Sequence, residues 1–143
     1  MKKNIFNNAY EIDYILIGIV SDIKEHKLAW LINQIFNFDL IKMKNLKIKI
    51  VKNKILEISN YMQNANDFNI RLIKNKLVRG INVEKEQYLI KKLSKFDYLM
   101  QIYDYNNKFR IDNIINNLNK ESCIQFANFV DVKFVKERDL LLI

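Results

Sequence analysis

The order of apolar and polar residues first predicts strands. The run IDYILIGIVS, residues 12–21, is almost continuously apolar and rich in isoleucine. Such a run, with Gly18 inside it, is typical of a central strand that is covered on both faces, or of a strand that a helix approaches closely. The stretch LKIKIV, residues 46–51, instead alternates strictly, which predicts a half-exposed strand with Lys47 and Lys49 on its outer face.

Helical spacing predicts two main helices and a short one. Asp22 and Glu25 have the three-residue spacing of a capping box at the start of a helix over 24–37. Its apolar stripe consists of Leu28, Leu31, Ile32, Ile35 and Phe36. A short helix is predicted from Glu84 to Lys95. The second main helix has the stripe Ile111, Ile114, Ile115 and Leu118.

The remaining apolar segments complete the fold. After a tight turn at 52–54, strands are predicted at 55–62, 68–74, 96–104 and 123–130. The order is then β-α-β-β-β-short α-β-α-β, in a single domain that spans residues 1–143. We therefore expect an α+β fold, a two-layer sandwich in which two main helices cover one face of a mainly antiparallel sheet, partly ferredoxin-like.

The chain is basic, with a net charge of +8, but its composition weakens the inference of nucleic-acid binding. It contains 20 Lys, 20 Asn and 23 Ile, against 4 Arg and no Pro. Residues with AT-rich codons are thus abundant, which indicates an AT-biased bacterial genome that produces lysine without selecting it for phosphate binding. Arginine, which binds phosphate in a bidentate manner, is the scarce cation.

Residues that carry chemistry are few. His26 and Cys123 are the single histidine and cysteine, and a zinc site needs about four such ligands. Gly18 and Gly80 are too far apart to form a phosphate-binding loop. We therefore expect no catalytic residues, no metal and no cofactor, and a chain that is not an enzyme. A lone cysteine also excludes an internal disulfide and favours a cytoplasmic location.

The N-terminal segment resembles a signal peptide only superficially. Two lysines precede apolar residues, but Glu11 and Asp13 interrupt them. The uninterrupted run from Tyr14 to Val20 is too short for a membrane helix, which needs about 20 residues. We therefore expect no membrane association.

Trp30 is the first candidate for a functional contact. It lies about 200° from Leu28 around the predicted helix, nearly opposite the apolar stripe, with His26 and Asn33 beside it. A tryptophan in that position indicates a contact outside the helix's own core, which would be with a partner protein or a second copy of the chain. Coverage by the C-terminal tail or a neighbouring loop is the alternative, and it is the favoured one. The apolar end LLLI, residues 140–143, would itself dock on the core or in a dimer.

A lysine-rich hairpin over residues 42–54 is the second candidate. Its six lysines are Lys42, Lys44, Lys47, Lys49, Lys52 and Lys54, and the segment contains no acidic residue. They would bind RNA electrostatically, or they would form the solvated face of an edge hairpin that resists aggregation. RNA-binding sheets present outward aromatic residues, whereas the outward positions of this strand are lysines. The solvated face is therefore the favoured interpretation.

Three stretches are similar to one family of bacterial proteins. They are DYILIGIVS followed by HKLAWLIN near the start, IKKLSKFDY at 90–98, and VDVKFVKERDLLLI at the end. Together they resemble the family named for an Ile-Pro-Glu-x-x-x-Val-Asp-Tyr signature, over nearly the whole chain. In IKKLSKFDY, Ile90, Asp97 and Tyr98 match the signature. The resemblance implies no particular activity.

Three signature positions differ in this chain. Lys91 replaces the family's Pro, Lys92 its Glu, and Phe96 its Val. Loss of the carboxylate fits a structural signature better than a catalytic one. We expect Tyr98 in the core and Asp97 anchoring a neighbouring loop. The sequence thus favours a non-enzymatic protein-interaction or adaptor module, with an RNA-associated accessory factor as the alternative.

Overall fold

The computed structural model describes residues 14–49, 55–77 and 87–135. Its helices are α1 (Glu25–Phe36) and α2 (Ile111–Asn119), with short 3-10 helices at Lys91–Leu93 and Val132–Phe134. The strands are β1 (Ile15–Val20), β2 (Ile41–Lys42), β3 (Leu46–Lys49), β4 (Ile55–Ile58), β5 (Asn60–Asn64), β6 (Phe68–Lys74), β7 (Lys76–Leu77), β8 (Gln87–Tyr88), β9 (Tyr98–Asp104) and β10 (Phe126–Val130).

An antiparallel six-stranded sheet organises the described part, in the order β10-β1-β9-β6-β5-β2. Helix α2 connects β9 to β10, and these two strands flank β1 and run antiparallel to it. The four strands β10-β1-β9-β6, with α1 following β1, therefore have the split βαβ arrangement of ferredoxin-like folds. The predicted α+β class is confirmed, and β5 and β2 extend the sheet beyond β6.

Both helices cover one face of this sheet. Alternate residues of β1, including Ile17 and Ile19, point toward them, as a strand requires. Leu28 and Ile32 of α1 and Leu118 of α2 are fully buried in the same core. The predicted inward residues of β6 also belong to it: Phe68, Ile70 and Leu72.

A second core covers the opposite face of the sheet. Leu16 of β1 and Leu99 of β9 point into it. Ile58, from the antiparallel β3–β4 pair, and Leu93, from the first 3-10 helix, pack over them. The central strand β1 is therefore covered on both faces, as its continuous apolar run predicts.

Local predictions differ from the structure at two places near α1. The capping box is wrong, since Lys24 is the N-cap residue and no side chain caps the helix. The Glu25 carboxylate instead accepts a hydrogen bond from the Ser59 hydroxyl. Ser59 also divides the single strand predicted over 55–62 into β4 and β5, which belong to different sheets.

The short helix predicted from Glu84 to Lys95 is present, within its described part, only as the 3-10 helix at Lys91–Leu93. The Leu89 N–H donates to the Asn75 carbonyl, and the Ile90 N–H donates to the Asn75 side chain. These bonds hold Ile90 in an extended conformation, so a regular helix cannot run through it. The predicted turn at 52–54, residues 84–86 and the apolar tail lie outside the described residues.

Candidate functional site

Trp30 lies on the outer surface of α1, with 63% of its surface exposed. Leu28, Ala29 and Ile32 of the same helix are buried, so Trp30 points away from the sheet, as its helical position predicts. Four exposed side chains make up what we term the Trp30 face: His26, Lys27, Trp30 and Gln34. Each of the other three is three or four residues from Trp30 and is therefore its neighbour on one side of the helix.

Asn33 fixes the C-terminal end of α1. Its Oδ1 accepts from the Leu40 N–H at 2.9 Å, and its Nδ2 donates to the Leu40 carbonyl at 3.3 Å. Asn37, with φ of 58°, turns the chain out of the helix. The Asn33 amide is therefore not free for the predicted contact with a partner. Both its oxygen and its nitrogen already form hydrogen bonds with the loop after α1.

Asp97 and Tyr98 fix the N-terminal end of α1. The Asp97 carboxylate accepts from the Ser21 N–H at 2.9 Å, and the Tyr98 hydroxyl donates to the Ile23 carbonyl at 2.6 Å. Both bonds reach the loop between β1 and α1, so the predicted anchoring by Asp97 and core position of Tyr98 agree with the structure. Burial, reinforced by Glu25 and Asp97, raises the pKa of Tyr98 to about 12. The hydroxyl therefore remains a donor at neutral pH.

Glu25 is turned inward beneath the helix. One carboxylate oxygen bonds Ser59, and the other, Oε2, is buried without a hydrogen-bond partner in the described part of the chain. Tyr61 lies close by: burial, with a smaller contribution from Glu25, raises its pKa. Glu25 therefore contributes little negative charge to the outer surface of α1.

Asn75 holds the segment 90–97 in place, although no sequence pattern marks it. Its side chain is buried; Oδ1 accepts from the Ile90 N–H at 2.8 Å. Nδ2 donates to the carbonyls of Leu93 and Phe96 at 2.9 and 3.0 Å, and the Asn75 N–H donates to the Asp97 carbonyl. One side-chain amide thus forms hydrogen bonds with three main-chain groups of this loop. Nothing distinguishes Asn75 from 19 other asparagines in the sequence.

The lysine-rich hairpin is exposed where it is described. Lys42, Lys44 and Lys47 are exposed, whereas the side chain of Lys49 and the residues Lys52 and Lys54 lie outside the described part. The Lys42 ammonium donates to the Met43 carbonyl and Asn45 Oδ1, each at 3.0 Å. Lys47 lies 3.9 Å from the Glu57 carboxylate of the paired strand. Two of these charges are therefore engaged locally.

Neither a metal cluster nor a membrane helix is found in the described ranges. No group of three His, Cys, Asp or Glu side chains within 14–49, 55–77 and 87–135 is arranged to hold a metal ion. In the same ranges, no helix is long and apolar enough to cross a membrane. In comparisons with known proteins, no family model matches this chain, and no curated protein or solved structure matches it.

Proposed function

We propose that this chain is a non-enzymatic protein-interaction module that binds its partner through the Trp30 face. The observation that carries the proposal is the 63% exposure of Trp30 on a helix whose two ends are tied to the sheet and its loops. A tryptophan supplies about 150–250 Å² of contact surface and is enriched among residues that dominate interfaces.

The attachment of α1 supports the same proposal. Asp97 and Tyr98 hold the loop before the helix, and Asn33 holds the loop after it. A preformed helix loses little conformational freedom on association, so more of the contact free energy remains for binding. The signature residues would then contribute to binding by positioning the helix, without touching the partner.

RNA binding through the 42–54 hairpin has weaker support. Lys42 and Lys47 are engaged by neighbouring groups, and Tyr61, the ring nearest Lys42, lies 5.8 Å from its ammonium and is partly buried. Single-stranded nucleic acid needs bases stacked on accessible rings as well as cations. The protein-interaction proposal is therefore preferred.

A pull-down with the tagged chain of residues 1–143 tests the proposal. Wild type, Trp30→Ala and Tyr105→Ala are compared in lysate of the source cells, with and without ribonuclease. Tyr105 is a matched control because it is an aromatic residue with 61% exposure in the turn after β9, away from α1 in the sequence. We expect a protein that is retained after ribonuclease treatment, lost with Trp30→Ala and kept with Tyr105→Ala. Equal recovery by both variants, or recovery that requires intact RNA, would overturn the proposal.

A further inference from the structure

Two exposed lysines precede Trp30 in a row with three-residue spacing. They are Lys24, the N-cap residue of α1, and Lys27, and His26 is exposed next to Lys27. Neither lysine side chain forms an ion pair or hydrogen bond with another residue in the described ranges. Asp22, three residues before the helix, is the exposed carboxylate of this segment. The ammonium groups are therefore available to an external anion.

Glu25 does not offset these lysines. It is one residue from Lys24 and two residues from Lys27, spacings at which side chains on a helix do not face each other. Here Ser59 binds the Glu25 carboxylate beneath the helix, with Oε2 buried. The Glu25 carboxylate is thus bonded away from Trp30, and Asp22 is the exposed carboxylate that remains before the helix. Lys27, three residues before Trp30, lies beside the indole without an ion pair in the described ranges.

We propose that the Trp30 face recognises an acidic segment of a partner protein, in which carboxylates flank an apolar side chain. This inference rests on the proposed function and adds the chemistry of the partner. The apolar side chain would contact the indole of Trp30, while the carboxylates would face Lys24 and Lys27. Opposite charges at the rim of an interface set specificity and association rate, so binding weakens with salt.

The arrangement of rings favours a protein over a nucleic acid. Single-stranded nucleic acids bind where successive bases stack on several aromatic side chains beside a basic groove. Trp30 is the one Phe, Tyr or Trp among the exposed side chains of α1, His26 is the other ring of this face, and the neighbours of Trp30 toward the C-terminus are Gln34 and Asn37. One indole and one imidazole, with two lysines, form a smaller stacking surface than a row of bases requires and favour an anchor for a short segment.

Fluorescence anisotropy with defined probes tests this inference. The probes are a labelled dodecapeptide with Leu-Phe at its centre and glutamate on both sides, its lysine-flanked counterpart, and a uridine dodecamer. We expect the acidic peptide to bind best, and Trp30→Ala to weaken its binding by about tenfold or more. Equal binding of the two peptides, or preferential binding of the uridine dodecamer, would overturn the inference.

Charge reversal then tests the two lysines directly. The double variant Lys24→Glu, Lys27→Glu should weaken binding of the acidic peptide about tenfold at low salt and less at high salt. The control, Lys91→Glu with Lys133→Glu, makes the same change in net charge at exposed positions elsewhere and should leave binding unchanged. Equal losses in both double variants would contradict a local contact.

Failure of the inference is distinguishable from failure of the proposed function. In the pull-down, loss of a partner with Trp30→Ala and its retention by the double variant Lys24→Glu, Lys27→Glu would overturn the inference that the recognised segment is acidic. The same result would leave the protein-interaction role of Trp30 in place. Retention of the partner by Trp30→Ala would overturn both the inference and the proposed function.

Discussion

The phenyl ring of Phe96 lies directly on the backbone of Gly18. A Cβ atom built at Gly18 would be 2.5 Å from three ring carbons, closer than real side chains approach one another. Phe96 therefore packs against the glycine of the central strand. This contact explains why a residue without a side chain occupies this position of β1.

Gly18→Ala should destabilise the fold by about 1–3 kcal/mol, because the added methyl group would displace the Phe96 ring. Urea denaturation measures the loss. Combining it with Phe96→Val, which removes the ring, should cost less than the sum of the two single changes. Additive losses would show that the contact does not determine packing here.

Asn75→Ala should be among the more destabilising substitutions. It removes an amide that serves the main chain of Ile90, Leu93 and Phe96. Each buried group left without a partner costs about 1–3 kcal/mol. Thermal unfolding compares it with Asn116→Ala, an exposed position on α2 that should change little. A loss no greater than that of Asn116→Ala would contradict the role of Asn75.

Stability should fall at high pH through Tyr98. Its pKa is about 12 in the folded chain against 10.0 ordinarily, so the folded state holds this proton more tightly. The resulting stabilisation is complete below pH 10 and is lost as the pH rises toward 12. The Tyr98→Phe variant lacks this titration. Urea midpoints measured across this range should therefore decline less steeply in the variant than in the wild type.

Asn119 closes the outer edge of the sheet at β10. Its Oδ1 accepts from the Ala127 N–H at 2.8 Å, and its Nδ2 donates to the Ala127 carbonyl at 2.9 Å. Phe126 and Phe129, with 44% and 46% exposure, lie on either side. Asn119→Ala should expose main-chain groups that pair with other strands. Light scattering should then detect association that is absent from Asn116→Ala.

The spacing of apolar residues along the chain made much of the fold predictable. The unbroken apolar run around Gly18, the alternation from Phe68 to Leu72 and the outward position of Trp30 follow from local spacing. The polar contacts do not. Ser21 meets Asp97 across 76 residues, and Ser59 meets Glu25 across 34. Such partners depend on the folded chain, so no local pattern marks Asn75 or Asn119.

The predicted tryptophan contact is open to direct measurement because Trp30 is the single tryptophan of the chain. Incorporation of fluorotryptophan gives one fluorine signal, which can be followed by NMR while the partner recovered in the pull-down is added. We expect the signal of the free chain to be that of a solvent-accessible indole, and to shift and lose solvent accessibility at saturation. Stoichiometric binding of the partner with an unchanged, solvent-accessible signal would contradict the account.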